Sequence, residues 1–72
     1  MRVINLDETG IKLIASNKKQ IYLTLEEVKE FIKKKYILQD GLLTICNKKL
    51  KLTESDMSEF QNIYTYIKTN FE

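Results

Sequence analysis

Apolar and polar residues alternate in several short stretches of the chain, which is the pattern of half-buried β-strands. These stretches are residues 11–15, 21–23, 42–46 and 50–52. Residues 3–6 are apolar enough to form a further strand, which would pair with residues 11–15 across a turn at residues 7–10. The pattern therefore predicts about five short antiparallel strands.

Two other segments have apolar residues at the spacing of an amphipathic helix. The first is predicted to run from Leu25 to about Tyr36 and the second over residues 54–71. Each begins with a capping box, in which a threonine is followed three residues later by an acid. The apolar positions are Leu25, Val28, Phe31, Ile32 and Tyr36 in the first helix, and Met57, Phe60, Ile63, Tyr64, Ile67 and Phe71 in the second.

Residues 17–31 resemble residues 47–60 when one gap is placed at Gln20. Both segments contain Asn-Lys-Lys, then Leu-Thr before the helix, then a glutamate and a phenylalanine. A repeat of this length indicates a supersecondary unit used twice, here two ββα units at about residues 10–36 and 41–71. Either a true duplication or a shared way of starting helices explains the likeness.

These elements predict one α+β domain over residues 1–72, in the order β-β-β-α-β-β-α. Both helices should lie on one face of a single antiparallel sheet. Because strand side chains alternate between faces, the two sides can be assigned. The side facing the helices is Ile11, Leu13, Ala15, Ile21, Leu23, Leu43, Ile45, Leu50 and Leu52. The outward side is Lys12, Ile14, Ser16, Tyr22, Leu42, Thr44, Cys46, Lys49 and Lys51.

The outward side contains large apolar residues that this arrangement leaves uncovered. An exposed apolar patch of that kind usually marks an interface, unless the sheet curls or a terminus covers it. The predicted partner-binding residues are Ile14, Tyr22, Leu42 and Thr44. We therefore expect a protein-binding module. A chain of 72 residues buries a small core, so homodimerisation is a natural way to cover the remaining apolar surface.

Nucleic-acid binding is the alternative expectation. The net charge of +2 is far below that of a dedicated nucleic-acid binder. However, two equivalent turns are rich in lysine, and Tyr22 could stack on a base. The residues of this alternative site are Lys18, Lys19, Lys48, Lys49 and Lys51. The chain would then be a small nucleic-acid-binding regulator.

The residue types argue against catalysis. No histidine occurs, Cys46 is the single cysteine, and no glycine-rich phosphate loop is present. Histidine-based triads and structural zinc sites therefore cannot form. The carboxylates fall in turns, in helix caps or on the polar side of the first helix. We expect no enzyme activity, metal, cofactor or small-molecule substrate, with Cys46 either a plain strand residue or a reactive thiol.

Composition also indicates a cellular setting. The longest apolar runs are too short to span a membrane, and the first residues lack the apolar region of a signal peptide. With one cysteine, a reducing cytoplasm is the simplest expectation. Lysine, isoleucine and asparagine are frequent, as AT-rich codons produce. This bias suggests an accessory protein of a phage or plasmid that docks on a larger host protein and modulates it.

Overall fold

The computed structural model describes residues 1–71 and has an α+β fold, as predicted. Its elements, in chain order, are β1 (Arg2–Asn5), β2 (Gly10–Ile14), β3 (Gln20–Thr24), α1 (Leu25–Ile32), β4 (Tyr36–Gln39), β5 (Leu42–Ile45), β6 (Lys48–Lys51) and α2 (Glu54–Phe71). A short 3-10 turn, Asp7–Thr9, joins β1 to β2. No helix in this part of the chain is long and apolar enough to cross a membrane.

The strands form two antiparallel sheets, so the prediction of a single sheet with about five strands is wrong. The first sheet has the order β1-β2-β3 and the second the order β4-β5-β6. β3 and β6 are neighbours where the two sheets meet. Side-chain hydrogen bonds join the two sheets there: the Asn17 amide donates to the Lys51 carbonyl at 3.1 Å, and the Lys48 ammonium donates to the Tyr22 carbonyl.

The additional strand, β4, begins at Tyr36, the last residue that was predicted to belong to the first helix. α1 ends at Ile32, and Lys34 then adopts a left-handed conformation with φ 63°. The Lys34 amide donates to the Phe31 carbonyl and the Lys35 amide to the Glu30 carbonyl, both at 3.0 Å, which is the Schellman pattern. This motif ends the helix and turns the chain into β4.

A two-residue turn at Asp40 and Gly41 connects β4 to β5. Both residues have positive φ, 53° and 75°, as a type I′ hairpin requires. Because β4 precedes β5, each helix follows three strands rather than two. The predicted ββα unit is therefore not confirmed.

Both sheets and both helices contribute to one hydrophobic core. The predicted inward residues of the strands are buried, except Ile21, which is half-buried. Four aromatic rings, those of Phe31, Tyr36, Phe60 and Tyr64, lie 5.0–6.0 Å apart between centroids. Tyr36 joins this cluster from β4, and burial raises its pKa. The Tyr64 hydroxyl donates to the Ile32 carbonyl at 2.6 Å, which links α2 to the end of α1.

Both predicted capping boxes are present. Thr24 and Glu27 exchange hydrogen bonds of 2.9 and 3.3 Å at the start of α1, and Thr53 and Asp56 exchange bonds of 3.1 and 3.3 Å at the start of α2. The Asp56 side chain is fully buried. It also accepts from the Ser16 backbone amide at 3.0 Å and pairs with the Met1 ammonium at 3.0 Å.

Candidate interaction surface

The second sheet has one side in the core and one side that no helix of residues 1–71 covers. Tyr36, Leu38, Leu43, Ile45 and Leu50 face the core. Since neighbouring residues alternate, the other side carries two cross-strand rows, which we call the outer face. The rows are Ile37–Thr44–Lys49 and Gln39–Leu42–Lys51.

A shallow depression of about 510 Å³ lies on this outer face. Its lining is Ile37, Gln39, Asp40, Leu42, Thr44 and Lys51. Ile37 is 62% exposed, more than any other large hydrophobic residue among residues 1–71. Leu42 and Thr44 are half-buried. The depression therefore has a partly apolar floor beside a strongly exposed isoleucine.

Charge on the outer face is unevenly placed. Lys49 and Lys51 are exposed along β6, at one side of the rows. Asp40 lies in the turn at the end of β4 and β5, and it is also exposed. The side of the face along β6 is consequently basic, while the acidic group is confined to the hairpin end.

The structure separates the four predicted partner-binding residues into two pairs. Leu42 and Thr44 lie together on the outer face, whereas Ile14 and Tyr22 belong to the first sheet. Tyr22 is fixed by its own contacts. Its hydroxyl donates to the Thr9 carbonyl at 2.5 Å, and the Lys48 ammonium lies 5.1 Å from its ring centroid. The single apolar patch expected from alternation is thus divided because the sheet is divided.

The five lysines of the alternative site are not equivalent. Lys48 is bound to Glu27 at 2.7 Å and to the Tyr22 carbonyl, so it has a structural role. Lys18 and Lys19 lie exposed in the turn between β2 and β3. The Asn17 amide holds this turn beside Lys51, at the opposite end of β6 from Lys48. The exposed lysines near one another are therefore Lys18 and Lys19 of this turn and Lys51, with Lys49 on the same side of β6 as Lys51.

Two residues of the outer face, Ile37 and Gln39, were missed because residues up to Tyr36 were assigned to a helix and those after it to no element. A signal for them does exist in the sequence. Asp40-Gly41 stands between two runs of apolar residues, and this dipeptide is among the strongest hairpin signals. Giving it precedence over helical spacing predicts β4.

Cys46 was predicted to lie in a strand, and this prediction is wrong: Cys46 occupies the two-residue turn between β5 and β6. It is exposed and has a φ of 55°. Smaller depressions of about 430 and 360 Å³ lie on either side of it, the first beside Glu27 and Lys48 and the second beside Lys34 and Lys35. Within residues 1–71, no group of three or more acidic, cysteine or histidine side chains is placed to hold a metal ion.

Glu27 is the carboxylate with the most contacts in the first of these depressions. Burial raises its pKa, but the Lys48 ammonium and the hydrogen bonds from Thr24 outweigh this effect, so that the pKa lies below its usual value. The carboxylate is therefore ionised near neutral pH. Its ionised form binds Lys48 and caps α1 at the same time.

Comparison with known proteins identifies no relative from which a role can be transferred. No protein-family model matches the chain, and neither the curated proteins nor the solved structures include a significant match. A functional interpretation therefore depends on the residues of the outer face themselves.

Proposed function

We propose that this protein is a non-catalytic protein-binding module that docks on a larger partner through the outer face of the second sheet. The observation that carries the proposal is the 62% exposure of Ile37 beside a depression with half-buried Leu42 in its floor. Exposing a large side chain of this kind costs free energy in the unbound chain, and a partner that covers it recovers that free energy.

The charges beside the depression favour one kind of partner surface. An apolar side chain of the partner would enter the depression next to Ile37. Acidic groups of the partner would lie over Lys49 and Lys51, which are exposed along β6. Apolar contact at the centre with complementary charges at the rim is the usual arrangement of protein interfaces.

The biological setting belongs to the same proposal. A chain of 72 residues with frequent lysine, isoleucine and asparagine fits an accessory protein of a phage or plasmid. Such a protein would act in the cytoplasm by occupying a working surface of a host protein. The composition supports the source, and the exposed outer face supports the mode of action.

Affinity capture from the source organism tests the proposal when three forms of the chain are compared. These are the natural chain, an Ile37→Asp variant and a Tyr66→Asp variant. Tyr66 is a suitable control because it lies on α2, away from the outer face in sequence, and is 54% exposed. We expect a partner that the natural chain and the Tyr66→Asp variant retain and that the Ile37→Asp variant loses. Equal recovery of every captured protein by all three forms would exclude the outer face as the docking site.

A nucleic-acid-binding regulator is the second candidate function. The observation that favours it is the bond from the Asn17 amide to the Lys51 carbonyl, which holds the Lys18–Lys19 turn beside an exposed lysine. Fluorescence anisotropy with labelled single-stranded and duplex DNA and RNA tests this candidate. Phosphate contacts predict binding that weakens steeply with salt and with Lys19→Gln and Lys51→Gln. Absence of binding at low salt rules it out.

A further inference from the structure

β4 has an edge that lacks the usual protection against pairing with another strand. It pairs with β5 on one side and is the terminal strand of its sheet. Its sequence is Tyr-Ile-Leu-Gln, without a charge or a proline. Exposed edge strands normally carry a charged residue, a proline or a bulge that prevents association. In the first sheet, the terminal strand β3 lies beside β6, and the other terminal strand, β1, carries a charge at Arg2.

The hairpin register shows which backbone groups of β4 face this edge. Gln39 and Leu42 flank the two-residue turn, so they form the hydrogen-bonded pair that closes it. Antiparallel pairs alternate between hydrogen-bonded and non-hydrogen-bonded, so Ile37 and Thr44 are the next bonded pair. The N–H and C=O groups of Tyr36 and Leu38 consequently point away from β5, toward the edge.

The other side of β5 supports the same alternation. The Leu52 amide donates to the Gly41 carbonyl at 2.7 Å, which continues the β5–β6 ladder by one pair. Odd-numbered residues of β5 therefore bond to β6. Even-numbered residues, Leu42 and Thr44, bond to β4, as the turn geometry requires.

We propose that β4 pairs antiparallel with β4 of a second copy of this chain, about a two-fold axis at Ile37. Tyr36 would stand opposite Leu38 of the second copy, and each of the two such pairs would exchange both backbone hydrogen bonds. Ile37 would stand opposite Ile37 as the non-hydrogen-bonded pair, with the side chains close together. In this register, Tyr36 and Leu38 of both copies lie on the core side and Ile37 of both copies lies on the outer side. The two sheets can therefore form one continuous sheet.

Charges at the two ends of β4 favour this self-pairing. Lys34 precedes the strand and Asp40 follows it, three residues from Ile37 in each direction. An antiparallel partner therefore brings the lysine end of one copy beside the aspartate end of the other, at both ends of the interface. A parallel arrangement would place like charges together. Opposite charges across neighbouring strands stabilise pairing, and like charges oppose it.

The dimer is expected to be weak and to depend on concentration. A contact between two four-residue strands is smaller than the interfaces of stable dimers, which bury about 1,200 Å² or more in total. Pairing would join the two outer faces into one six-stranded surface with Ile37 of both copies at its centre. The dimer does not rest on the proposed function, because backbone groups at the edge of β4 form it, whereas the proposed partner binds side chains of the outer face.

Sedimentation equilibrium tests the dimer directly. We expect the mass to rise from 8.5 kDa toward twice that value between about 10 µM and about 1 mM protein, the range of a weak interface. Ile37→Lys puts two ammonium groups face to face at the axis and should keep the chain monomeric throughout. Tyr66→Lys, which removes a similarly exposed residue from α2, should dimerise like the natural chain. Circular dichroism of both variants verifies that the fold is retained.

Cross-linking tests the register. In a Cys46→Ser background, Ile37→Cys places two thiols at a non-hydrogen-bonded pair, where the side chains are near enough for a disulfide. Gln39→Cys is the control, since the register sets it opposite Lys35 and not opposite itself. We expect rapid oxidation to a covalent dimer only with Ile37→Cys. A natural chain that stays at 8.5 kDa at the highest concentration, or a Gln39→Cys variant that cross-links as fast, overturns the proposal.

Discussion

The ammonium of Lys48 lies 2.7 Å from the Oε1 atom of Glu27, so a lysine of the second sheet binds the carboxylate that caps the first helix. A related contact occurs in the opposite direction. Asp56, which caps α2, accepts hydrogen bonds from Ser16, in the turn between β2 and β3. Each helix cap is therefore bound to a hairpin of the other half of the chain, and the two sheets are held together through their helix starts.

The Lys48–Glu27 pair should make a measurable contribution to stability because both side chains are partly buried. A double-mutant cycle with Lys48→Met and Glu27→Gln is expected to give a coupling free energy of about 1 kcal/mol in urea unfolding. Methionine retains the apolar stem of the lysine, so the cycle isolates the charge contact.

Lys35 and Glu30 provide the matched comparison. Their charged atoms are 3.3 Å apart, but the two side chains are 64% and 39% exposed. The same cycle with Lys35→Met and Glu30→Gln should give a smaller coupling, below about 0.5 kcal/mol. Equal couplings for the two pairs would contradict the view that partial burial strengthens the Lys48–Glu27 contact.

Asp56 should give the folding stability a characteristic dependence on pH. Burial raises its pKa, but hydrogen bonds from Thr53, the Met1 ammonium and Ser16 outweigh burial and hold the pKa well below its usual range. A carboxylate whose pKa is lowered by folding stabilises the fold when the pH is above its pKa in the unfolded chain, about 3.9. This contribution is lost as the pH falls from there toward the lower pKa of the folded chain.

The amino group of Met1 acts at the other end of the pH scale. Its hydrogen bond to Asp56 raises its pKa above 8.0. A cationic group whose pKa is raised by folding stabilises the fold fully when the pH is below the pKa of that group in the unfolded chain. This contribution is lost as the pH rises through the pKa of the group in the folded chain. We therefore expect a plateau of stability between about pH 5 and pH 8, with a decline on both sides.

Asp56→Asn tests the decline of stability at low pH and the decline at high pH in one variant. The substitution removes the nearer of the two carboxylates that pair with the Met1 ammonium, leaving Glu59 at 3.5 Å, and it weakens the cap of α2, so we expect a loss of about 2 kcal/mol at pH 7. Urea unfolding at several pH values between 3 and 10 is the measurement. The variant should lose less stability than the natural chain below pH 5 and above pH 8. If the variant loses as much stability as the natural chain below pH 5 and above pH 8, other groups control the pH dependence.

Lys34→Gly should stabilise the protein. Lys34 has a φ of 63° after α1, a conformation that is sterically costly for a residue with a Cβ and carries no steric cost for glycine. We expect a gain of about 1 kcal/mol in the free energy of unfolding. Lys33→Gly is the control, because Lys33 has a φ of −88° and should lose stability or remain unchanged. Destabilisation by Lys34→Gly would be inconsistent with the Schellman ending of α1.

The two glycines should respond very differently to alanine. A Cβ on Gly10 would lie 1.9 Å from the Leu23 carbonyl oxygen, and its φ of 138° is outside the range of other residues. Gly10→Ala should therefore prevent stable folding, with a cost above about 3 kcal/mol. A Cβ on Gly41 would lie 3.4 Å from the Leu52 carbonyl oxygen. Gly41→Ala should cost about 1 kcal/mol, mainly from its φ of 75°. Thermal unfolding of both variants is the measurement.

Features that depend on near neighbours along the chain were predictable from the amino-acid order. Alternation predicted that Leu13, Leu23 and Leu43 face the core, because strand geometry sends successive side chains to opposite sides. The capping boxes at Thr24 and Thr53 were predicted from residues three apart. β4 was missed because Tyr36 fits the helical spacing as well as a strand. In addition, the position after α1 that is usually a glycine is occupied here by Lys34.

How these local elements meet depends on contacts between residues that are far apart along the chain. Lys48 and Glu27 are 21 residues apart, and Ser16 and Asp56 are 40 residues apart, so no local pattern pairs them. The division into two sheets moved Ile14 and Tyr22 away from Leu42 and Thr44 and left Ile37 as the exposed apolar residue of the outer face. The alternation in a strand fixes which residues share a side of that strand. Which strands then lie side by side is set by packing into the common core.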